Sequence, residues 1–361
     1  MLKRKIHFCL YTLLILLSLI SVSGLLYAAE LPTLYRGIRP LGMGGAFITL
    51  SNDENAMFYN PAGLNDIEGF GGVEIINPLV EISKDSIDLY KDLQDIDSNN
   101  TTQVTDLLNR FIGEHQHLRT SLFPNVVFHN FGIGVLGQAT LDTEIRNRAN
   151  PVVIVDAKVD VGLLASAAYA FYDKALQVGV TGKYIQRRGV VDTFTAVDIA
   201  SDNFDPLSDV GDSKNDFAFD LGAKVNIDMP VINPTFAIVL QNITDLDFDQ
   251  LGKLPQQLNV GLAINPDFWI VKSTLAAEID DITKEIDTDD DIYKRVHIGA
   301  EVRFPTILAV RGGFNQGYWT AGVTLDVWIL KIAYATYAEE VGAVAGQRDN
   351  RRHVAQVVLG F

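Results

Sequence analysis

A few side chains in this sequence have the types and spacing that chemistry requires. Gly132, Gly134 and Gly137 stand in the G-x-G-x-x-G spacing that holds a dinucleotide pyrophosphate in other proteins. That motif works where a strand leads into a helix, whereas residues 138–142 here continue a strand-like pattern. We therefore predict no nucleotide site, and we interpret the glycines as a bulge, a bend or a close approach of another backbone.

Histidines and carboxylates offer further candidates for metal binding or acid–base catalysis. His115 and His117 lie two residues apart near a strand start and share a face, but the sequence shows no third metal ligand beside them. His297 shares a face of its strand with Glu301, and we expect a hydrogen bond in the interior. The sequence contains neither G-x-S-x-G nor H-E-x-x-H. We predict no catalytic residue, no metal and no cofactor.

Composition narrows the class of protein. The chain has 361 residues and a formal net charge of −16, which argues against a nucleic-acid-binding protein. Its 29 glycines and its aromatic residues (19 Phe, 12 Tyr and 3 Trp) favour strands and turns over packed helices. The only cysteine, Cys9, lies in a segment that we expect to be removed. We therefore expect no disulfide, zinc–thiolate site, iron–sulfur cluster or cysteine nucleophile.

The N-terminal residues 1–29 have the pattern of a secretory signal peptide. Basic residues at 3–5 precede an apolar run over 6–20, and small residues then lead to a predicted cleavage site at Ala28–Ala29. After this segment no run of about 18 apolar residues occurs, so we expect no membrane-spanning helix. The exported chain is then either soluble or a membrane β-barrel.

Strand signals run from Gly72 to Phe361, and many alternate with a period of two residues. The clearest alternation is found over 153–172, 216–227, 295–304 and 318–327. In the last three stretches the charged side chains all lie on one face and the other face is apolar. A charge facing lipid at mid-bilayer costs about 2–4 kcal/mol. The segregation therefore fits strands with one face toward lipid and the other toward a lumen.

The connections between strands are of two kinds that take turns along the chain. Short turns are predicted at 129–130, 172–174, 228–233, 265–268, 304–306 and 327–328, and the other connections at 83–116, 145–150, 189–213, 243–256, 282–291, 315–317 and 339–350. Tight periplasmic turns and longer outer loops are typical of an outer-membrane barrel, and about fourteen strands, an even number, lie between them. The sequence predicts an all-β fold, a transmembrane antiparallel β-barrel in the bacterial outer membrane.

Two acidic clusters lie in the predicted outer loops. They consist of Asp287, Asp289, Asp290 and Asp291, and of Asp202, Asp205, Asp209 and Asp212. Carboxylates suit calcium, but the D-x-[DN]-x-[DN]-G loop pattern is absent. We interpret the clusters as solvated loops, which divalent ions can bridge to lipopolysaccharide.

The last strand carries a further signal. Val357, Leu359 and Phe361 share one face, and the final residue is aromatic. This pattern is similar to the terminal strand that the barrel-assembly machinery reads in bacterial outer-membrane proteins. An ordinary last strand is the alternative.

Residues 30–70 differ from the alternating remainder and resemble a known family. The motifs are Arg39-Pro40-Leu41-Gly42-Met43-Gly44-Gly45-Ala46-Phe47, Asp53-Glu54-Asn55-Ala56 and Asn60-Pro61-Ala62-Gly63-Leu64. With them the chain resembles the FadL-type outer-membrane transporters of hydrophobic compounds, together with their PorV-like and TraF-like branches. The resemblance implies an N-terminal plug of short helices over 30–70, inside a fourteen-stranded barrel over 71–361. The plug either gates the pore or only blocks it.

The resemblance implies two further sites. A kink in the third strand of the family opens a lateral gap into the membrane, and 131–144 is the third strand here. Gly132, Gly134 and Gly137 are the candidates for that gap, unless they serve only to fit the plug. The long, partly helical loop 83–116 corresponds to the loop where hydrophobic substrate docks. Its apolar face consists of Leu107, Leu108, Phe111 and Ile112. In the alternative interpretation this face belongs to a helical hairpin that shields itself.

The predicted function is passive uptake of small hydrophobic molecules, fatty-acid-like or aromatic, with lateral release into the membrane. Transfer of each CH₂ from water to hydrocarbon gains about 0.8 kcal/mol, so no covalent chemistry is needed. The expected partners are such a ligand, outer-membrane lipid and lipopolysaccharide, and the barrel-assembly machinery. The alternative is a PorV-like or TraF-like scaffold or shuttle protein with partners in a secretion or conjugation system. A transporter should have an apolar pocket beside its plug, whereas a scaffold should be packed shut.

Overall fold

A computed structural model describes residues 30–67, 71–97, 100–199, 211–268, 271–286, 291–305 and 307–360. The predicted signal peptide lies outside the described residues. Fourteen antiparallel strands form one closed barrel, which confirms the predicted fold class. The strands are β1 (Gly72–Ile76 and Leu79–Ser83), β2 (His115–Leu122 and Asn125–Phe128), β3 (Phe131–Arg146), β4 (Val152–Phe171), β5 (Leu176–Thr195), β6 (Lys214–Asn226), β7 (Pro234–Gln241), β8 (Gln257–Ile264 and Asp267–Phe268), β9 (Val271–Ile279), β10 (Val296–Arg303), β11 (Leu308–Asn315), β12 (Tyr318–Val327), β13 (Leu330–Glu340) and β14 (Asp349–Gly360).

The barrel closes because β1 pairs with both its successor and the last strand. Glu74 lies opposite Gly360, and further along the same pair of strands Leu79 lies opposite Gln356. The remaining neighbours follow in chain order. Hydrocarbon offers backbone amides no hydrogen-bond partner, so a sheet crosses a membrane only as a ring without free edges.

Side chains alternate between the lumen and the outer surface along each strand. In β4, Val159 and Val161 are each 50% exposed on the outside, whereas Asp160 between them is 3% exposed. The predicted segregation of charges into the lumen therefore holds in the folded barrel.

The short and long connections lie at opposite ends of the barrel, as predicted. Four helices interrupt the described chain outside the strands: α1 (Ile38–Gly42), α2 (Lys84–Leu93), α3 (Thr101–Arg110) and α4 (Ala196–Ile199). Short 3-10 helices cover Glu54–Met57, Pro61–Asp66, Asp249–Leu251 and Ile292–Arg295. None of the helices in the described ranges combines the length and the apolar content that a bilayer crossing requires.

One predicted outer loop is shorter than expected. Residues 189–195 continue β5, because they pair with the outer end of β4 as far as Val152 opposite Thr195. The β4–β5 ladder extends past the outer edge of the membrane. Polar residues are tolerated there, so the polar composition of 189–195 does not mark the end of the strand.

Another predicted outer loop, 243–256, folds back into the lumen. It forms a small hairpin from Leu246–Asp247 and Lys253–Leu254, and Phe248 between the two strands is fully buried. The apolar side chains of this hairpin pack in one cluster with residues of the plug. Hydrophobic burial therefore overrides the polar average of the segment.

We predict that the cost of a charge on the outer surface depends on its height in the membrane. Val135 and Leu141 both face outward on β3 and are 47% and 40% exposed. Val135→Lys places an ammonium near mid-bilayer and should lower the free energy of unfolding in lipid by about 2–4 kcal/mol. Leu141→Lys, six residues nearer the outer rim, should cost about 1 kcal/mol or less. Denaturant titration in phospholipid vesicles measures both, and equal costs would contradict this assignment of the lipid-facing wall.

Candidate functional site

The N-terminal segment, residues 30–67, lies inside the barrel as a plug. Its turn at Gly44 and Gly45 has φ angles of +65° and +90°, which favour glycine. A Cβ atom on Gly44 would lie 2.6 Å from the carbonyl oxygens of Ile298 and Phe314 in the wall. Glycine at this position thus permits both the turn and the backbone contact between plug and barrel.

Arg39 links the plug to the wall through several short hydrogen bonds. Its Nε and Nη2 donate to the two carboxylate oxygens of Glu301 on β10, at 2.8 and 2.7 Å. Its Nη1 donates to Asn52 Oδ1 and Asp53 Oδ2, both at 2.7 Å, so the same guanidinium also holds the next turn of the plug. A planar guanidinium suits this forked arrangement in a way that an ammonium does not.

The second plug motif is held by close packing against wall glycines. Asn60 donates from Nδ2 to the Ile48 carbonyl at 2.8 Å and accepts from the Ala62 amide at 3.0 Å, which starts the 3-10 helix at Pro61. The wall residue Gly222 leaves room for the Asn60 side chain. The remaining residues of the plug motifs, Pro40, Leu41, Gly42, Met43, Ala62 and Gly63, are all buried.

We predict that enlarging Gly222 dislodges the plug without unfolding the barrel. A Cβ atom at this position would lie 2.0 Å from Asn60 Oδ1. Gly222→Val should therefore cost about 1–3 kcal/mol through overpacking and should make residues 50–66 more sensitive to protease. The matched control is Gly182→Val, because a Cβ there meets its nearest atom at 3.7 Å. Unchanged proteolysis of the plug in Gly222→Val would contradict the prediction.

A cavity of about 590 Å³ lies between the start of the plug and the outer rim. Its apolar lining consists of Leu31, Pro32, Leu34, Ile154, Val191, Leu254 and Val341. Charged residues also line it, and they pair with one another on the same strand or on adjacent strands. Arg187 binds Asp160 at 2.7 and 2.9 Å, and Lys158 binds Asp156 at 2.7 Å. The cavity is therefore amphipathic and not the purely apolar pocket that a transporter was expected to have.

A cluster of titratable groups lies beside this cavity. His115 and His117 share the inward face of β2, and each lies close to Asp142 Oδ1 on β3, at 3.3 and 2.6 Å. Glu30 completes a group of three potential metal ligands with His117 and Asp142. The two oxygens of Glu30 are already engaged by Arg352, at 3.0 and 2.5 Å. The arrangement is an ion-pair network that holds the first described residue of the plug.

Asp142 was not predicted as a partner of the two histidines, although the sequence contains a signal for it. The turn at 129–130 fixes the register of the β2–β3 hairpin, and that register places His117 opposite Asp142. Glu30 carries no such signal, because the path of the plug through the lumen is not a local property of the sequence.

Two plug carboxyl groups have opposite pKa shifts. Burial of Glu30 favours the neutral acid, but the guanidinium groups of Arg352 and Arg36 prevail and lower its pKa to about 2. Burial of Glu54, reinforced by the negative charge of Asp53, raises its pKa to about 8. Glu30 is therefore ionised at neutral pH and ties the plug to the wall, whereas the surroundings of Glu54 favour its neutral form.

His297 and Glu301 do form hydrogen bonds in the lumen, and each has a partner in the plug. The His297 Nδ1 atom lies 2.9 Å from the Gly44 carbonyl oxygen, and Glu301 binds Arg39 as described. Glu301 also accepts from Arg311 at 2.6 Å. The wall residues of β10 thus serve to hold the plug.

The three glycines proposed for a lateral gap do not interrupt β3. The strand pairs in one register along its length with β4, and no opening occurs at this level. A Cβ on Gly132 would meet Met57 at 3.1 Å, and one on Gly134 would meet Phe123 at 2.5 Å. Gly137 faces outward, and a Cβ there would meet its nearest atom, the Leu122 carbonyl oxygen, at 3.9 Å. Their placement agrees with the alternative interpretation, in which Gly132 and Gly134 make room for interior side chains.

The interruption lies instead between the neighbouring strands β1 and β2, at a place we term the seam. Asn77–Pro78 breaks β1 and Phe123–Pro124 breaks β2. The pairing between the two strands shifts by one residue from one side of this break to the other. Proline has no amide hydrogen for the ladder, and the Asn77 side chain fills the place: it donates to the Phe123 carbonyl at 2.6 Å and accepts from the Phe123 amide at 2.7 Å.

The apolar face of the outer loop is covered. Leu107, Leu108 and Phe111 are each under 10% exposed and pack with Ile145 of β3. Ile112 packs at the edge of the same cluster. The residues expected to dock a substrate are therefore the interior of a helical hairpin seated on the strand ends, as in the alternative interpretation.

The other predicted features are described in part. Val357 and Leu359 face outward on β14 and are 42% and 44% exposed, whereas Phe361 lies outside the described residues. Among the clustered acids only Asp212 and Asp291 are described, and Asp291 accepts from the Tyr293 and Ala345 amides.

Comparison with known proteins adds information on the fold. No protein-family model matches the sequence, and no curated protein matches it. Among solved structures, the toluene transporter TbuX of Ralstonia pickettii is 14% identical with a TM-score of 0.54, over 90% of this chain and 97% of that chain. The CymD monoaromatic hydrocarbon channel is 12% identical with a TM-score of 0.49, over 92% and 98%. A Pseudomonas aeruginosa FadL homologue is 12% identical with a TM-score of 0.48, over the same shares.

The likeness to TbuX extends over nearly the whole of both chains and concerns the fold. It agrees with the closed ring of fourteen antiparallel strands described above. The chain is a bacterial outer-membrane β-barrel with the FadL-type fold.

Proposed function

We propose that the protein is a passive outer-membrane channel for small hydrophobic or amphipathic molecules. The observation that carries this proposal is the cavity of about 590 Å³ at the outer end of the lumen. Its apolar lining gains the transfer energy of a ligand's hydrocarbon part, and its paired charges leave no unneutralised ion facing the ligand. TbuX, the solved structure with a TM-score of 0.54, is a toluene transporter, which supports this class of function.

A route inward from the cavity follows aromatic side chains. Leu34 lines both the outer cavity and a smaller cavity of about 110 Å³ beside the plug, which Tyr35 and Phe58 also line. The rings of Tyr35 and Phe58 stack at 4.4 Å between centroids, and Phe58 packs edge-on against Phe123 at 4.8 Å. Phe123 belongs to the seam. Small rotations of these rings would connect the cavities to the seam without displacing the plug backbone.

Lateral release through the seam is the finer part of the proposal. Because the ladder between β1 and β2 relies there on the Asn77 side chain, the local backbone pairing is weaker than in the rest of the wall. A hydrophobic molecule that leaves through this point reaches hydrocarbon directly. No acid, base or nucleophile is needed for any step.

We predict that filling the outer cavity blocks uptake. Val191 is 50% exposed into it, so Val191→Trp should occupy much of the space near the outer rim. Uptake of radiolabelled toluene or oleate by intact Gram-negative cells carrying the protein should fall about tenfold. Val161→Trp, at an equally exposed position facing lipid, is the control and should transport normally. Normal uptake in Val191→Trp would exclude this cavity from the route.

Locking the seam should separate binding from release. Val80 and Thr120 lie opposite each other next to the break, within the distance that a disulfide can span. Residues 30–361 contain no other cysteine. Oxidised Val80→Cys/Thr120→Cys should retain ligand in native mass spectrometry but lose uptake, and reduction should restore it. The pair Ala167→Cys/Val180→Cys, across the uninterrupted β4–β5 ladder, is the control. Full uptake by the oxidised seam variant would place the exit elsewhere.

A scaffold of a secretion or conjugation system is the second candidate. This function is favoured by ion pairs that keep the plug in the lumen, such as Arg36 with Glu339 at 2.5 Å and Lys224 with Asp66 at 2.6 Å. Native mass spectrometry of the purified protein distinguishes the two functions. A bound small amphiphile supports the channel, and a bound polypeptide supports the scaffold.

A further inference from the structure

The outer wall of the barrel is apolar, and positive charges on it are few. Among the described strand residues, two arginines occupy outward-facing positions, Arg188 on β5 and Arg351 on β14. Arg188 donates from Nε to the Gly211 carbonyl at 3.1 Å, so it is tied to the adjoining loop. Arg351 forms no ion pair with a carboxylate in the described part of the chain. Asp349, two residues away on the same face of β14, supplies a negative charge nearby without forming an ion pair with Arg351. A cation at the edge of a lipid phase that has no direct ionic contact is costly, so its environment requires explanation.

Arg351 is held in a fixed position on the wall. Its guanidinium carbon lies 4.1 Å from the centroid of the Trp319 ring, and its Nη1 donates to the Trp319 carbonyl at 2.8 Å. Trp319 itself faces outward on β12 and is 54% exposed. The stacking orients the planar guanidinium, and its Nε and Nη2 have no acceptor within the described residues. The Nε–H and Nη2–H donors of Arg351 are therefore held in position on the outer surface of the barrel, where a ligand can accept from both.

A second donor lies on the same face. His353 follows two residues later on β14, about 7 Å along the strand. Its Nδ1 lies 2.7 Å from the Tyr334 hydroxyl, and the two rings stack at 6.2 Å between centroids. When Tyr334 donates to Nδ1, the proton of the neutral imidazole is on Nε2, which becomes a donor beside the guanidinium.

The height of this pair in the membrane identifies the ligand class. Leu359 is the outward residue near the periplasmic end of β14, and eight residues separate it from Arg351. With about 3.4 Å per residue and a strand tilt of about 40°, Arg351 lies roughly 21 Å higher along the barrel axis. The apolar band of such barrels is about 25 Å tall. The guanidinium therefore reaches the outer boundary of the hydrocarbon, where lipid phosphate groups are found.

We propose that Arg351 and His353, set between Trp319 and Tyr334, form a binding site for the phosphate group of an outer-leaflet lipid. Guanidinium binds phosphate through two parallel hydrogen bonds, and a phosphate would give Arg351 the direct ionic contact that Asp349 does not make with it. The phosphate can belong to a lipid A-type glycolipid or to a glycerophospholipid. This site lies on the outer wall and does not depend on the proposed uptake route through the lumen.

The test is lipid retention by the full-length mature protein in native mass spectrometry. The purified protein is offered bis-phosphorylated lipid A, phosphatidylglycerol and a phosphate-free galactosyl diacylglycerol. We expect retention of a phosphate-bearing lipid and little of the galactolipid. Arg351→Gln should weaken that retention about tenfold and Arg351→Lys less, since an ammonium keeps the charge but not the fork. Arg188→Gln is the matched control and should bind as the unmodified protein does.

The outcomes are separable. Stronger retention of lipid A than of phosphatidylglycerol assigns the phosphate to the glycolipid, and the reverse assigns it to the phospholipid; both support the site. Equal retention of all three lipids, or equal loss in Arg351→Gln and Arg188→Gln, overturns it. Heat-modified migration of each variant on a gel verifies that the barrel is folded, and Arg351 is partly exposed, so its removal leaves no cavity.

Discussion

The rest of this structure depends on one constraint: in hydrocarbon, every backbone amide must find its hydrogen-bond partner within the protein. That requirement explains why β1 pairs with β14 and leaves no free edge. It also explains why the single described break between β1 and β2, at Asn77–Pro78 and Phe123–Pro124, is not left open. The Asn77 side chain supplies there the donor and the acceptor that the backbone ladder lacks. Because the Asn77 side chain completes the hydrogen bonding between β1 and β2, its movement would open the wall at this point.

The lumen follows from the same constraint in a different way. Because lipid disfavours charge on the outer face, most charged residues of the strands are directed inward, where they must be paired or hydrated, and Arg188 and Arg351 are exceptions. The plug provides the partners. Glu301 binds Arg39, Arg352 binds Glu30, and Lys224 binds Asp66, so basic and acidic groups alternate between plug and wall. Wall glycines such as Gly222 let the plug backbone approach closely enough for these contacts. The plug is therefore as much a part of the folded interior as a core is in a soluble protein.

This organisation bears on how a solute would cross. Displacing a plug that is held by several buried ion pairs costs free energy. A route for the solute around the plug therefore requires less free energy than a route that removes it. The outer cavity, the stacked rings of Tyr35, Phe58 and Phe123, and the seam lie in sequence along one side of the plug. The helical hairpin of the outer loop covers its own apolar face, so under the proposed function an amphiphile would first meet apolar side chains in the cavity and not on the loop.

The sequence by itself determined the number of strands and which side of each strand faces lipid or the lumen. Alternation is a local property with a period of two residues, and lipid on one side enforces it along each strand, as Asp160 between Val159 and Val161 illustrates. The order of short turns and long loops is local as well, and hairpin register even places Asp142 opposite His117. Only the tertiary structure decided which distant groups meet. Arg39 and Glu301 are 262 residues apart, the segment 243–256 turns inward on the strength of a few apolar side chains, and the break in the wall lies in β1 and β2 instead of β3. These features depend on how the plug fills the lumen, and that fit is set by complementarity between surfaces that no short stretch of sequence contains.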